Sequence, residues 1–105
     1  NGSICNVTID LRKNSKTYLK KFSCRLNGKK NVSILIPAGC ANAFLTLEDN
    51  TIIHYYMDSF FEDNIKKSYS GFRYDDEIAN VKWPKQPRII SQKDKNYLKL
   101  NLKDI

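Results

Sequence analysis

The chain has 105 residues, enough for one domain with a single modest hydrophobic core. Its 18 Lys and Arg side chains outnumber 11 Asp and Glu, and the whole net charge of +7 lies in residues 1–47. No apolar run approaches the length of a membrane span and no signal peptide is visible, and cysteines that fit no disulfide framework are typical of a reducing cytoplasm, so we expect a cytoplasmic protein that does not cross a membrane. The basic half favours an anionic partner such as nucleic acid, a membrane surface or a phosphorylated small molecule, although lysines that cover solvated strand edges would give the same charge.

Three cysteines, Cys5, Cys24 and Cys40, are widely spaced along a chain that contains one histidine and no C-x-x-C motif. An odd number of thiols at these spacings predicts neither a disulfide framework nor a zinc site. We therefore expect reduced thiols that are buried as small apolar side chains, and no bound metal.

The first third of the chain predicts two strands and a hairpin into a third. Residues 4–12 alternate apolar and polar side chains, a period of two that is typical of a half-buried strand. Residues 18–26 repeat this alternation after a polar turn. The pair Asn27–Gly28 has the residue types of a type I′ turn, whose central positions need positive φ, and so predicts a hairpin into a strand over residues 32–36.

A tight corner follows this strand, because Pro37 and Gly39 stand two residues apart in front of an apolar run. The run predicts a buried strand that cannot be solvated on both faces, with one polar side chain, Asn42, inside it. Residues 51–57 are rich in β-branched and aromatic side chains, and we expect them to form the antiparallel neighbour of that strand after the acidic turn at residues 48–50.

The second half of the chain is less regular. Residues 58–70 lose the period of two and predict a loop or a short helical turn, and residues 71–74 predict a short strand. Ser91 and Asp94 have the spacing of a capping box, so we expect a short helical segment near residues 91–97, after which the tail fits helix or strand equally well. With six to eight short strands, the chain is predicted to be one all-β domain, an antiparallel sandwich or barrel.

Five motifs occur in the same order as in a known family. Together they resemble the dTDP-4-dehydrorhamnose 3,5-epimerase family, and the resemblance covers nearly all of this chain but only the later part of a family protein. It implies an antiparallel jelly-roll barrel of the cupin type, formed by residues 1–105 as one domain that lacks N-terminal strands of the natural protein. The motifs are Gly2–Val7, Asp10–Tyr18, Ile36–Phe44, Trp83–Pro84 and Ser91–Asp94.

The resemblance also implies a reaction. Family members abstract protons next to the ketone of a nucleotide-linked 4-keto-6-deoxy sugar and return them from the opposite face, without a metal or other cofactor. Such chemistry needs a base, an acid for the enolate and donors for the oxyanion. Carried over by position, Tyr55 matches the acid, Asp94 matches the Asp that orients a His base, and Lys93 matches a neighbouring substrate contact. An aromatic packed in a barrel and a helix-capping carboxylate are the structural alternatives for Tyr55 and Asp94.

Asn42 departs from the family pattern, because the family has a His at this position of its Ala-His-Gly-Phe element. An amide still hydrogen-bonds a sugar or phosphate oxygen, but it cannot carry a positive charge. Phe61 likewise stands where the family commonly has an aromatic with a hydroxyl group. The family's His base and enolate Lys belong to motifs upstream of residue 1, and His54 is no substitute, since its neighbour Tyr55 points to the opposite face of a strand.

The sequence is therefore consistent with three functions. The first is a metal-independent sugar epimerase of surface-polysaccharide synthesis, which binds a nucleotide-sugar substrate, forms a homodimer as family members do and is inactive as the fragment 1–105. The second is a non-catalytic or truncated sugar-nucleotide-binding barrel. The third, a basic nucleic-acid-binding domain, rests on charge alone and is ranked last, because the basic residues are spread along several strands with few interleaved aromatics.

Overall fold

The computed structural model describes residues 1–30, 32–57 and 71–98. These residues form three strands and one short helix: β1 (Ser3–Asp10), β2 (Lys21–Asn27), β3 (Cys40–Thr46) and α1 (Gln92–Lys95). The strands make one antiparallel sheet in the order β2-β1-β3. The predicted antiparallel β fold is confirmed at this level. The helix of the described residues is far too short to cross a bilayer.

Strand β1 is the centre of the sheet and is buried on both faces. Its two edges pair with β2 and β3, so that Asn6 lies opposite Cys24 on one side and Phe44 on the other. Asn6 and Asp10 are only 4% and 6% exposed, as little as Val7 at 4%. The predicted half-buried strand is therefore wrong: the alternation is present, but its polar side chains have hydrogen-bond partners instead of water.

The segment between β1 and β2 is a broad turn. Its ends are held by two backbone bonds, from Asp10 N–H to the Lys20 carbonyl at 3.1 Å and from Leu19 N–H to the Asp10 carbonyl at 2.7 Å. Tyr18 lies in this turn and not in β2, which begins three residues later than predicted. The polar turn and the second strand are otherwise confirmed.

The corner before β3 forms as predicted. The Cys40 N–H donates to the Pro37 carbonyl at 3.2 Å, closing a four-residue turn in which Gly39 has φ of 86°. Positive φ at the third position is the conformation of a type II turn and favours glycine. A second bond, from Leu11 N–H to the Gly39 carbonyl at 3.1 Å, ties the corner to the end of β1.

Three predicted strands are not found in the described parts of the chain. Residues 32–36, 51–57 and 71–74 have no strand pairing, and the last segment runs into a turn closed by Asp76 N–H on the Arg73 carbonyl at 3.2 Å. A β-type sequence forms a strand only where it pairs with a neighbouring strand, and in the described residues these three segments join neither edge of the sheet. Leu35 and Tyr56 are accordingly 91% and 93% exposed.

The type I′ hairpin is also wrong. The Lys30 N–H donates to the Asn27 carbonyl at 3.1 Å, so a turn does form, but neither Asn27 nor Gly28 is among the described residues with positive φ. The predictions for residues 58–70 and for the end of the tail lie outside the described residues.

The core lies against β1. The buried apolar side chains of the described residues are Ile4, Cys5, Val7, Ile9 and Ala79. Cys5 is buried as expected and all three thiols are free, but Cys24 and Cys40 are only half-buried, which corrects that prediction. Ala79 belongs to a turn organised by the buried Asp76 carboxylate, which accepts from Ile78 N–H at 2.8 Å and from Ala79 N–H at 3.2 Å.

Candidate functional site

Three polar side chains meet on one face of the sheet. Thr8 of β1 lies directly opposite Asn42 of β3, and Asn6 is two residues further along β1 on the same face. Asn6 Nδ2 donates to Asn42 Oδ1 at 2.9 Å, and Asn42 Nδ2 donates back to Asn6 Oδ1 at 3.1 Å. Thr8 Oγ1 donates to the same Asn42 Oδ1 at 2.9 Å. We call these three residues the amide cluster.

The amide cluster joins the interior of the sheet to its open surface. Asn6 is buried in the middle of β1, whereas Asn42 is exposed. Burial of an amide is costly unless its polar atoms are bonded, and Asn42 meets that requirement for Asn6. The arrangement places a neutral amide, held by two neighbours, where a ligand on this face can reach it.

A second polar group lies at the end of β1, around the Asp10 carboxylate. It accepts from Arg12 Nε at 2.9 Å, from Arg12 Nη2 at 3.1 Å and from the Arg12 N–H at 2.9 Å, and the Thr17 hydroxyl also donates to it. The Arg12 side chain, with the hydroxyls of Ser15 and Thr17, holds the pKa of Asp10 far below its ordinary value. The ion pair raises the pKa of Arg12. The Asp10 carboxylate is thus already paired with Arg12 and Thr17, and we assign it a structural role.

Beside this group is an open cleft of about 350 Å³. It shares Thr8 with the amide cluster, and three basic residues, Arg12, Lys20 and Lys21, line it with one acid, Asp10, a balance that favours an anionic ligand. Lys21 also donates to the Asn80 carbonyl, which ties the segment after Asp76 to the edge of β2. The cleft is lined by Thr8, Asp10, Arg12, Thr17, Lys20, Lys21, Phe22, Pro37 and Cys40.

The predicted acid, Tyr55, lies in segment 51–57, which forms no strand, and is 65% exposed. Its neighbours His54 and Tyr56 stack on each other, with ring centroids 5.6 Å apart and an interplanar angle of 23°. The His54 ring is therefore engaged in an aromatic contact with Tyr56.

The predicted Asp94 and Lys93 lie on α1, and both are exposed. The Ser91 hydroxyl accepts from the Asp94 N–H at 3.1 Å, so the predicted N-cap is confirmed. At the other end of the helix, Arg73 Nη1 donates to the Lys95 carbonyl at 3.2 Å, while its Nε pairs with Asp75 at 2.8 Å. The short helix is thus anchored at both ends.

The four predicted site residues lie on three separate parts of the chain: the sheet, the segment 51–57 and α1. In the described residues, the Asn42 side chain bonds to Asn6 and Thr8 and to none of the other predicted site residues. Sequence reasoning missed Asn6 and Thr8, because it interpreted the polar positions of β1 as solvent-facing. The described residues also contain no cluster of three His, Cys, Asp or Glu that could hold a metal ion.

The fold of this chain resembles that of solved sugar-nucleotide epimerases. A solved dTDP-4-dehydrorhamnose 3,5-epimerase from Elizabethkingia anophelis superposes on 99% of this chain with a TM-score of 0.77 at 24% identity, covering 56% of that chain. Another, from Bacillus anthracis with TDP and PPi bound, gives a TM-score of 0.79 at 29% identity over 95% of this chain and 55% of its own.

Sequence comparison then gives the particular family. The family model described as dTDP-4-dehydrorhamnose 3,5-epimerase matches residues 1–102, so the chain belongs to that family. The enzyme of that name from Methanothermobacter thermautotrophicus is 35% identical over 99 residues, covering 91% of this chain and 52% of its own length. The Sinorhizobium fredii enzyme is 31% identical over 94 residues, covering 89% and 47%. The chain spans about half the length of the curated relatives it matches.

Proposed function

We propose that this chain is part of a nucleotide-sugar epimerase. The enzyme would invert the configuration of carbon atoms next to the ketone of a dTDP-linked 4-keto-6-deoxy sugar. The observation that carries the proposal is the family match over residues 1–102, which includes every candidate site residue. The TDP and PPi in the Bacillus anthracis structure support a nucleotide diphosphate as part of the ligand. We further propose that residues 1–105 contribute to a jelly-roll barrel in a cytoplasmic homodimer.

The proposed reaction is a proton exchange at carbon. A base removes the proton beside the ketone, the electron pair passes into an enolate, and an acid returns a proton to the opposite face. We assign the acid to the Tyr55 phenol, which is open to a ligand, and the orienting of the base to Asp94. Asn42 and Lys93 are assigned to substrate binding, as a neutral donor and as a cation beside the diphosphate. No metal or cofactor takes part in the proposed mechanism.

The base itself is not assigned within residues 1–105. His54 is the single histidine of the chain, and its ring stacks on Tyr56. As the family resemblance implies, we propose that the base and the cation for the enolate oxygen lie outside residues 1–105. The curated relatives are about twice as long as the segment they match.

The test is exchange of solvent deuterium into the sugar. The protein produced from its complete coding sequence is incubated in D₂O with a dTDP-linked 4-keto-6-deoxy sugar, and deuterium at the carbons beside the ketone is measured by mass spectrometry and NMR. Residues 1–105 alone serve as the comparison and are expected to exchange nothing. A full-length protein that incorporates no deuterium would contradict the proposal.

A second candidate is a barrel that binds sugar nucleotides without turning them over. It is favoured by the amide cluster, because Asn42 is held as a neutral donor and cannot supply a proton or a positive charge. Saturable binding of dTDP-linked sugar by the full-length protein, together with no deuterium exchange, would identify this function in place of epimerisation.

A further inference from the structure

The helix α1 carries Asp94 and Lys93, yet it is not packed on the sheet. None of its residues is buried. In the described part of the chain, no Cα atom of α1 lies within 8 Å of a Cα atom in β1, β2 or β3. A helix of four residues is also too short to be stable in isolation. The place of Asp94 relative to the sheet is therefore decided by contacts with other parts of the chain.

Segment 71–76 makes such contacts at the C-terminal end of α1. Arg73 Nη1 donates to the carbonyl of Lys95, the last residue of the helix, at 3.2 Å. Gly71 lies against the ring of Tyr97, so close that an added Cβ would be 2.7 Å from Tyr97 Cζ. The last carbonyl groups of a helix lack partners within it, so the Arg73 donor satisfies a group that the helix leaves open.

The Arg73 side chain is itself fixed in direction. Its Nε and Nη2 donate to the two carboxylate oxygens of Asp75, at 2.8 and 3.1 Å. A planar guanidinium that is held at two nitrogens has its third nitrogen fixed as well, and this nitrogen meets the Lys95 carbonyl. A lysine ammonium has no such rigid fork and could not hold both partners in this geometry.

A path of hydrogen bonds connects Arg73 to the sheet. The Asp76 N–H donates to the Arg73 carbonyl at 3.2 Å, and the Asn80 N–H donates to the Asp76 carbonyl at 2.8 Å. Lys21 of β2 then donates to the Asn80 carbonyl. Asp76 is only 2% exposed, so the middle of this path is buried. Arg73 thus joins an exposed helix to a part of the chain that is bonded to β2.

We propose that Arg73 is a positioning residue of the epimerase, which sets the place of Asp94 by joining α1 to segment 71–76. The inference rests on the proposed function, because Asp94 is taken to orient the base. Arg73 acts through Asp94 and is assigned no contact with the substrate. Without Arg73 the carboxylate is still present, but it is no longer held in one place. Turnover then falls more than affinity, although Lys93 on the same helix contributes a smaller loss of binding.

The first test is a double-mutant cycle on turnover in the protein produced from its complete coding sequence. Arg73→Gln removes the guanidinium fork, and Asp94→Asn removes the orienting carboxylate. We expect Arg73→Gln to lower the rate of epimer formation at saturating substrate at least about tenfold, because small misplacements of reacting groups are costly. In the Asp94→Asn background the same change is expected to cost less than about twofold. Equal fold losses in the two backgrounds would overturn the positioning role.

Two variants separate the position of the charge from its presence and allow for a loss of folding in Arg73→Gln. Arg73→Lys keeps the charge without the fork, and we expect it to remain at least about fivefold below the wild-type rate. Asp75→Asn weakens the fork and leaves Arg73 in place, and we expect a loss of about two- to fivefold. Wild-type rates in both variants would overturn the inference.

Asn27→Ala is the matched control. It also removes one hydrogen bond between a side chain and the backbone, because Asn27 Oδ1 accepts from the Lys29 N–H at 2.8 Å in a turn after β2. We expect this variant to keep the rate within about twofold of the wild type. If Asn27→Ala and Arg73→Gln lower the rate equally, the effect of Arg73 is a general loss of stability and the inference is wrong.

Amide hydrogen exchange reports on α1 independently of the chemistry. The Asn96 N–H donates to the Gln92 carbonyl at 3.0 Å, at the end of α1 that Arg73 holds. We expect exchange at Asn96 to become several-fold faster in Arg73→Gln and to stay unchanged in Asn27→Ala. Unchanged exchange in Arg73→Gln would contradict the link to α1, and faster exchange with a wild-type rate of turnover would leave Arg73 a structural anchor only and overturn the inference.

The proposed function fails in a different way. A full-length wild-type protein that exchanges no deuterium into the sugar contradicts the function, and the role of Arg73 falls with it. A wild type that turns over the substrate, with Arg73 variants that match its rate, contradicts the inference alone.

Discussion

The Asp10 carboxylate accepts three hydrogen bonds from Arg12, through the backbone N–H, Nε and Nη2, at 2.9, 2.9 and 3.1 Å. Both residues lie where β1 ends, and the Arg12 side chain also covers Gly39 at the corner before β3. This ion pair therefore connects the end of the central strand to the turn that begins the strand carrying Asn42.

Acid is expected to weaken the fold through Asp10. Its folded-state pKa is depressed, first by the Arg12 side chain and then by the Ser15 and Thr17 hydroxyls, so the carboxylate contributes stability above its unfolded pKa of about 4. That contribution is lost as pH falls through the depressed folded-state pKa. Urea unfolding from pH 7 to pH 3 should show a steeper loss of stability below about pH 4 for the wild type than for Asp10→Asn. Parallel curves for the two proteins would contradict this role.

Gly39 is expected to tolerate no side chain. At φ of 86° an added Cβ would lie 2.6 Å from Arg12 Cγ, so Gly39→Ala combines backbone strain with displacement of the Arg12 side chain. We expect a loss of about 1–3 kcal/mol in the free energy of unfolding. Ala38→Gly in the same turn is the control, with an expected change below about 1 kcal/mol. Chemical denaturation measures both, and similar losses would contradict the explanation.

Replacement of Asn42 by His is expected to lower the free energy of unfolding. An imidazole cannot form the reciprocal pair with Asn6, and a buried amide left without its partner costs about 1–3 kcal/mol. A carboxylate at position 6 could accept from the new imidazole, so the double variant Asn6→Asp/Asn42→His should recover part of the loss. A double-mutant cycle by chemical denaturation measures the coupling, and additive losses would show that positions 6 and 42 act independently.

Removal of the Tyr55 hydroxyl is expected to impair turnover and to spare binding. General acids contribute about 10²–10⁴-fold to rates, so Tyr55→Phe should lower the full-length protein's rate of epimer formation by at least about 100-fold while the affinity for dTDP stays within about threefold. Tyr56→Phe is the matched control, since Tyr56 is the adjacent tyrosine and is 93% exposed. Equal rates for the two variants would remove Tyr55 from the proposed mechanism.

Loss of the Ser91 cap is expected to loosen the helix that carries Asp94. Ser91→Ala removes the acceptor of the Asp94 N–H, and such changes cost about 0.5–2 kcal/mol. Amide hydrogen exchange at Asp94 should become several-fold faster, whereas Ser91→Asp, which keeps an acceptor, should leave it near the wild-type rate. Unchanged exchange in Ser91→Ala would mean that the anchoring by Arg73 alone holds the helix.

The features that could be predicted from the sequence are those that depend on neighbouring residues in the chain. The alternation of residues 4–12 led to β1, Pro37 and Gly39 led to the corner, and Ser91 led to the N-cap. Each depends on a few neighbouring residues: a period of two, a residue that adopts positive φ, or a hydroxyl three residues before an amide. Family membership was equally readable, because it rests on motifs in order along the chain.

Only part of the candidate site could be predicted from the sequence. Asn42 was singled out by its departure from a family motif, but Asn6 and Thr8 carry no signal of their own, since polar residues at every second position are what a solvated strand face would show. They became part of the site because β3 pairs with β1 in the register that sets Thr8 opposite Asn42. Register is a long-range property that a local pattern does not encode.

The amino-acid sequence by itself thus determined the family, the three strands β1, β2 and β3, the corner and the helix cap. Tertiary structure decided which strand lies at the centre, which polar side chains are buried, and which strand-like segments find a partner. The physical reason is that an apolar or polar pattern specifies what a segment can do, whereas pairing and burial depend on the neighbouring strands that the fold brings to it.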